Sequence, residues 1–388
     1  MNDTLSERSR SPLVMLVAGE ASGDQHAASL FLELKRRIPG VRAIGMGSSK
    51  MRAAGVDIRF DSSSIGVIGV TEVIRHYGKI RAVLQQMKRL AASERPDLLI
   101  CVDYQAFNFQ LAKYARSIGI KVLFYVSPQV WASRPWRVKK YGKAIDHMAV
   151  IFPFEQPFYE SYRIPVTYVG HPLAGKVRPS ADKSVLINEF GLDPLRPVIG
   201  LLPGSRANEI RRLLPVIRDA VVLLAARYPQ AQFMLSQAPT VDDGALDEVL
   251  ASCPAAIRRI KARNHDVLAC CDVAVTVSGT ATLEVALSRV PMLIIYKVAP
   301  LTYWLGRWLI NIPFIGMPNI LAGRAIVREL IQHEASGPAI AGEVGQLLDD
   351  TEYAAQMRRD LDDVSRMLGE GGGSANLAGL ACRMLEYG

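Results

Sequence analysis

Cysteine is scarce in this chain: five residues in 388, at Cys101, Cys253, Cys270, Cys271 and Cys382. The number is odd and no two stand in a CxxC spacing. This excludes a disulfide scaffold and a thiolate metal site, and it fits a reducing cytoplasm. A short repeat and a low-complexity tract are missing too. The chain also lacks zinc-finger spacing, a recognition-helix signature and an RNP-type aromatic motif, so its excess of positive charge does not point to nucleic acid. The first apolar run, Leu13 to Ala18, is only six residues long. Asp3 and Glu7 offset Arg8 and Arg10 before it, which argues against a signal peptide and for a cytoplasmic protein.

What is present is an ordinary globular composition on a long chain. Hydrophobic residues make up 49% and charged residues 21%. At roughly 150 residues per domain the length predicts two or three domains. The net charge is +9, which needs an anionic partner. A membrane surface suits Arg134 to Lys143 (RPWRVKKYGK), where five cations stand beside Trp131 and Trp136; a solvated basic helix would read the same way. Leu301 to Gly323 holds a single charge, Arg307, in 23 residues. Its prolines and glycines argue against a regular span, and its aromatic residues favour an interfacial or half-buried segment. Ser64 to Val73 is likewise apolar and broken by glycine.

Strand and helix alternate along the chain, the pattern of parallel sheets with crossover helices. Strands are predicted at 13–18, 42–46, 97–103, 121–126, 147–151 and 166–169, with helices at 24–37, 79–93, 107–118 and 154–163. After a break at 170–178 the alternation restarts, with strands at 197–202, 231–235, 272–276 and 291–295. The prediction is two Rossmann-like, doubly wound parallel-sheet domains facing a cleft, over residues 1–170 and 171–345. C-terminal helices over 346–388, jointed at EGGGS (Glu370 to Ser374), either pack back on the first domain or reach a partner subunit in a homodimer.

Several turns carry candidate chemistry. GEASGD, with Gly19, Ser22, Gly23 and Asp24, has neither the dinucleotide spacing nor a GK[ST] sequence. It reads either as an anion-binding turn or as a tight strand-to-helix connection. PGSR adds a cation at a helix start, so Gly204, Ser205 and Arg206 form a candidate diphosphate clamp. In SGTATLE, the amides of Ser278, Gly279, Thr280 and Ala281 would face phosphate while Glu284 accepts ribose hydroxyls. Thr280 and Glu284 miss the capping-box spacing by one residue. Asp103 ends a strand where open α/β sheets place ligands; it is read either as a general base or as a helix cap. His171, in GHP, either touches ligand or orders a hinge.

These motifs occur in order with FN at Phe107 and Asn108, YVSPQVWA at Tyr125 to Ala132 (including Ser127), PFE at Pro153 to Glu155, and MPNILAGR at Met317 to Arg324. Together they resemble the lipid-A-disaccharide synthases, inverting glycosyltransferases of the GT-B fold, across nearly the whole chain. The resemblance implies transfer from UDP-2,3-diacylglucosamine to 2,3-diacylglucosamine 1-phosphate (lipid X) at the cytoplasmic face of a Gram-negative inner membrane. It implies no cofactor and no metal. On this reading Asp103 is the base, Arg206 stabilises the leaving diphosphate, and Asn319 and Arg324 lie near phosphate. Asn108, Ser127 and His171 fall on the acceptor or hinge side. Two positions depart from the family pattern: Ala106 replaces an aspartate and Ser133 a tryptophan. A UDP-N-acetylglucosamine 2-epimerase would share the nucleotide logic without needing the greasy, basic rim that segments 64–73, 134–143 and 301–323 would form, and a non-catalytic sugar-nucleotide binder would keep UDP affinity while Asp103→Ala changed nothing in turnover.

Overall fold

Thirteen strands form among the described residues, most of them short apolar runs bounded by polar turns. A computed structural model describes residues 11–65, 70–133, 135–299, 303 and 312–386, with the side chains at 64–65, 70–77, 133 and 135 set aside. Residues 66–69 of the 64–73 apolar segment, and residues 301–311 of the 301–323 segment apart from Tyr303, therefore lie outside the described residues.

The chain divides into two units, Met1–Pro172 with Gly371–Gly388, and Leu173–Glu370. In the first, β1 (Leu13–Ala18), β2 (Arg42–Gly47), β3 (Asp57–Asp61), β4 (Leu98–Val102), β5 (Lys121–Tyr125), β6 (His147–Val150) and β7 (Val166–Tyr168) form one sheet. Its order is β3-β2-β1-β4-β5-β6-β7. The second unit holds β8 (Val198–Leu202), β9 (Gln232–Gln237), β10 (Ile257–Lys261), β11 (Val273–Val277), β12 (Met292–Tyr296) and β13 (Arg328–Ile331). The order there is β10-β9-β8-β11-β12-β13. Every pairing in both sheets is parallel.

The central strands β1, β4, β8 and β11 are buried at every position. Helices cover both faces of such a sheet, so these strands run apolar without alternation. Strand order reverses between β1 and β4, and again between β8 and β11. Register pairs Ala18 with Val102 and Leu202 with Thr276, which brings the loops after each pair out side by side. Those are the switch points at which open α/β sheets bind ligands.

The expected C-terminal segment 346–388 does not act as one piece. Helix Thr351–Leu368 belongs to the second unit and buries Met357, Leu361 and Val364 in its core. Beyond the glycine joint, helix Gly373–Met384 packs on helix Ala21–Arg37 of the first unit. Gly373 fits because an added Cβ would come within 3.1 Å of the Gly170 carbonyl oxygen. Asn376 Nδ2 donates to the Val169 carbonyl at 3.1 Å.

Candidate active site

In the second unit, the loops after β8, β10 and β11 enclose a cavity of about 770 Å³. Gly204 turns at φ 102°, and a Cβ there would stand 2.5 Å from Glu209 Oε2. Glu209 reaches back to the start of its own helix, accepting from Ser205 N at 3.2 Å and Arg206 N at 3.3 Å. Its other oxygen holds the Arg206 guanidinium at 3.0 Å, with the arginine side chain 81% exposed at the cavity mouth. Across the cavity Gly279, at φ 149°, has nothing within 4 Å of where a Cβ would sit. Backbone can therefore approach a ligand closely there.

Glu284 lines the same cavity, one turn into helix Thr280–Leu287. Asn264 Nδ2 donates to it at 2.6 Å, and His265 Nε2 lies 3.5 Å from its other oxygen. That hydrogen bond, set against partial burial, raises the His265 pKa. Asn264 Oδ1 is buried without a hydrogen-bond partner among the described residues.

The Ser278 loop is braced from behind. Ser278 Oγ donates to the Ile315 carbonyl at 2.9 Å, so its hydroxyl proton is already committed. Glu329 accepts from Ile315 N and Gly316 N, each at 2.9 Å, and from Asn319 Nδ2 at 2.7 Å. Asn319, which the resemblance puts near donor or acceptor phosphate, is fully buried. Its Oδ1 accepts from Ile326 N and Val327 N at 2.8 and 2.9 Å. Arg324 likewise turns away from that task and pairs with Asp360 at 2.6 Å. Neither residue lines the cavity.

In the first unit, Asp103 and Tyr104 follow β4 with φ 50° and 45°, and Val126 follows β5 at φ 67°. Left-handed backbone at non-glycine residues is strained, most of all at a β-branched valine, and such strain concentrates at functional sites. Asn108 supports the turn: its Nδ2 donates to the carbonyls of Asp103 at 2.7 Å and Val102 at 3.2 Å. The Tyr104 ring occupies the space over Gly19, where a Cβ would fall 2.3 Å from Cγ. Burial, followed by the neighbouring Glu20 carboxylate, raises the Asp103 pKa.

Ser127, expected on the acceptor side, donates its hydroxyl to Glu155, as does the Trp131 indole at 3.2 Å. The other Glu155 oxygen accepts from Phe152 N at 3.0 Å. Desolvation dominates these bonds and lifts this carboxyl to about 7. His171 stacks on Phe152 with centroids 5.1 Å apart, and burial lowers its pKa to about 4. Asp24, expected to bind donor, is buried and accepts from Ser48 N at 2.6 Å and Lys50 N at 2.9 Å. Its carboxylate thus holds the start of helix Ser49–Ala54, and an anion-binding role would bring it into like-charge repulsion. Ser22 is exposed and Gly23 buried at the start of helix Ala21–Arg37. Ala106 is exposed in the first turn after Tyr104, so the missing aspartate leaves no gap in the core.

A family model for lipid-A-disaccharide synthetase matches residues 14–374. This chain belongs to the lipid-A-disaccharide synthase family. The synthase of Geobacter sulfurreducens is 48% identical over 96% of this chain and 97% of its own length. That of Nitrosococcus oceani is 46% identical over 97% of each. Among solved structures, a putative UDP-N-acetylglucosamine 2-epimerase from Listeria monocytogenes has a TM-score of 0.67 at 13% identity, covering 98% of both chains. The calicheamicin glycosyltransferase CalG4 has a TM-score of 0.62 at 18% identity, covering 97% of this chain and 99% of its own. At such identities the structural likeness speaks for the GT-B fold alone. The sequence relatives make the chain a glycosyltransferase of lipid A biosynthesis.

Sequence reasoning missed Glu155, Glu329, Asn264 and His265. PFE carries the resemblance but, as a local pattern, does not single out its glutamate. Asn264 and His265 follow β10, whose IRRIK sequence carries too little apolar character to announce a strand.

Proposed function

We propose that the protein transfers 2,3-diacylglucosamine from its UDP donor to the 6-hydroxyl of 2,3-diacylglucosamine 1-phosphate, giving a β-1,6 disaccharide and UDP. The observation that carries this reading is the second unit's cavity, which brings two glycine turns together with the exposed Arg206 guanidinium and the Glu284 carboxylate. The Gly279 turn admits a diphosphate close to backbone, Arg206 sits at the mouth to meet its charge, and Glu284 accepts from ribose hydroxyls. The free Oδ1 of Asn264 offers one more acceptor to the nucleoside.

Asp103 takes the proton of the attacking hydroxyl as the new bond to the anomeric carbon forms. The bond to UDP breaks on the opposite face, and Arg206 meets the charge that passes to the diphosphate. Its strained, Asn108-tied backbone fixes where that carboxylate points. Trp136, 62% exposed with Lys140 lying 5.5 Å over its ring, supports peripheral binding to an anionic surface, as a cytoplasmic-face enzyme with acylated substrates requires. Among the described residues no helix is long and apolar enough to cross a membrane.

The test is UDP release and disaccharide formation from both lipid substrates in detergent. Asp103→Ala should lower turnover by on the order of 10²- to 10⁴-fold and leave UDP affinity intact. Disaccharide formed equally by this variant would remove Asp103 as the base. UDP-sugar turnover without any lipid acceptor would replace the transferase reading with an epimerase.

A further inference from the structure

A second cavity in the same unit, of about 580 Å³, opens beyond β12 and β13. It shares no lining residue with the donor cavity. Its walls come from Val298, Ala299 and Tyr303, while Arg212, Lys297 and His333 bring cationic or protonatable groups to it. Among the described residues none of these three has a carboxylate partner. In the same unit Arg206, Arg218, Arg227, Arg263 and Arg328 each meet one. Arg212 and Lys297, without a carboxylate partner among the described residues and beside apolar walls, match a ligand that is anionic at one end and hydrocarbon at the other.

The hollow is also held in shape. Gln332 sits in left-handed backbone at φ 55°, a strained state for a residue with a side chain. Its amide clamps the opposite wall from both sides, with Val298 N donating to Oε1 at 2.7 Å and Nε2 donating to Val298 O at 3.1 Å. Gln332 N donates in turn to Tyr296 O at 2.8 Å, tying the clamp to the end of β12. Chain connectivity adds context: Trp304 and Trp308 follow directly on Tyr303 in a stretch whose only charge is Arg307. Aromatic residues in an apolar run are characteristic of a membrane interface.

We propose that this cavity binds the phosphate of an acylated lipid, with Arg212 and Lys297 on the phosphate and Val298, Ala299 and Tyr303 along the start of the chain. The phosphate belongs either to a bilayer phospholipid or to the lipid acceptor, and two readouts separate these sources. Sedimentation with vesicles of equimolar phosphatidylglycerol and phosphatidylcholine reads the first. Binding of 2,3-diacylglucosamine 1-phosphate in detergent, followed by calorimetry, reads the second; neither depends on turnover.

The double variants Arg212→Glu/Lys297→Glu and Arg212→Gln/Lys297→Gln should weaken one of these by at least about tenfold. UDP affinity and the melting temperature should match the parent. Loss of vesicle binding assigns the site to a bilayer lipid, and loss of acceptor binding assigns it to the substrate. Retention of both in a folded charge-reversal variant overturns the proposal. So does a parallel loss of UDP affinity in the folded glutamine variant, because the cavity would then be part of the donor site. A failure of the transferase reading would appear instead as missing disaccharide with both lipid-binding readouts intact.

Discussion

In the first unit, the turns after β4 and β5 put Asp103, Tyr104 and Val126 at positive φ; in the second, the turns after β8 and β11 use Gly204 and Gly279. Glycine adopts that backbone without cost and leaves its N–H groups open to an approaching anion, whereas each side chain held there stores of the order of 1–3 kcal/mol. The acids differ in the same way. Asp103 and Glu155 are desolvated and their pKa values are raised, while Glu209 and Glu284 are bound to cations or amide donors. On the proposed function, the first unit supplies a proton acceptor and the second receives charge. Strain alone does not separate the units, since Ala262 in the donor cavity and Gln332 are left-handed as well; a desolvated carboxyl on such a backbone distinguishes the first, and glycine with an exposed arginine the second.

Two glycine substitutions offer the hardest test of that contrast. Gly204→Ala forces a methyl group against Glu209 and adds strain of about 1–3 kcal/mol, so donor affinity should fall roughly 5- to 150-fold with kcat less affected. Gly19→Ala pushes on the Tyr104 ring and should lower kcat while donor affinity holds. Steady-state kinetics with UDP competition reads both, and equal effects on donor affinity would erase the distinction.

The pH dependence of stability sharpens the comparison on a smaller scale. The Glu155 carboxyl titrates near 7 in the folded chain against an ordinary value of 4.5. Between these values the native state holds the extra proton. Its contribution is therefore fully present below about 4.5 and is lost as pH rises through about 7. The swing is on the order of 3 kcal/mol, from about 1.36 kcal/mol per pKa unit. Thermal melts at pH 5 and pH 8 should differ less for Glu155→Gln than for the parent; an unchanged difference would place the titration elsewhere.

Arg324→Gln should have the smallest effect. Its partner is Asp360, not the cavity, so the donor KM should stay within about twofold while the melting temperature drops modestly. A tenfold rise in KM would return Arg324 to the donor site.

Much of this architecture was legible because the interior strands are continuous apolar runs. LVMLVA, LLICV, VIGLL and VAVTV are strands wherever they occur in a parallel sheet, and observed ends fall within a residue or two of expectation. The strands that escaped notice, DIRFD, IRRIK and RELI, are all sheet edges. Charged side chains protect an edge from unwanted pairing and at the same time hide its periodicity. The site shows the same boundary. Gly204, Arg206, Gly279 and Glu284 announce themselves by local order, and they share one cavity. Asp24, Asn319 and Arg324 stand in equally suggestive motifs, but Ser48, Val327 and Asp360 claim them, and those partners lie too far along the chain for a local pattern to reveal.

The return of helix Gly373–Met384 to the first unit gives translation order a physical meaning. Ribosomes complete all of the second unit before the residues that pack on helix Ala21–Arg37 exist. Until then that helix packs on β1, β2, β4 and helix Ser49–Ala54 but lacks the cover that helix Gly373–Met384 gives it in the native state. The nascent first unit thus lacks one of its native helices throughout the synthesis of its neighbour, and apolar surface uncovered in that interval is prone to aggregate.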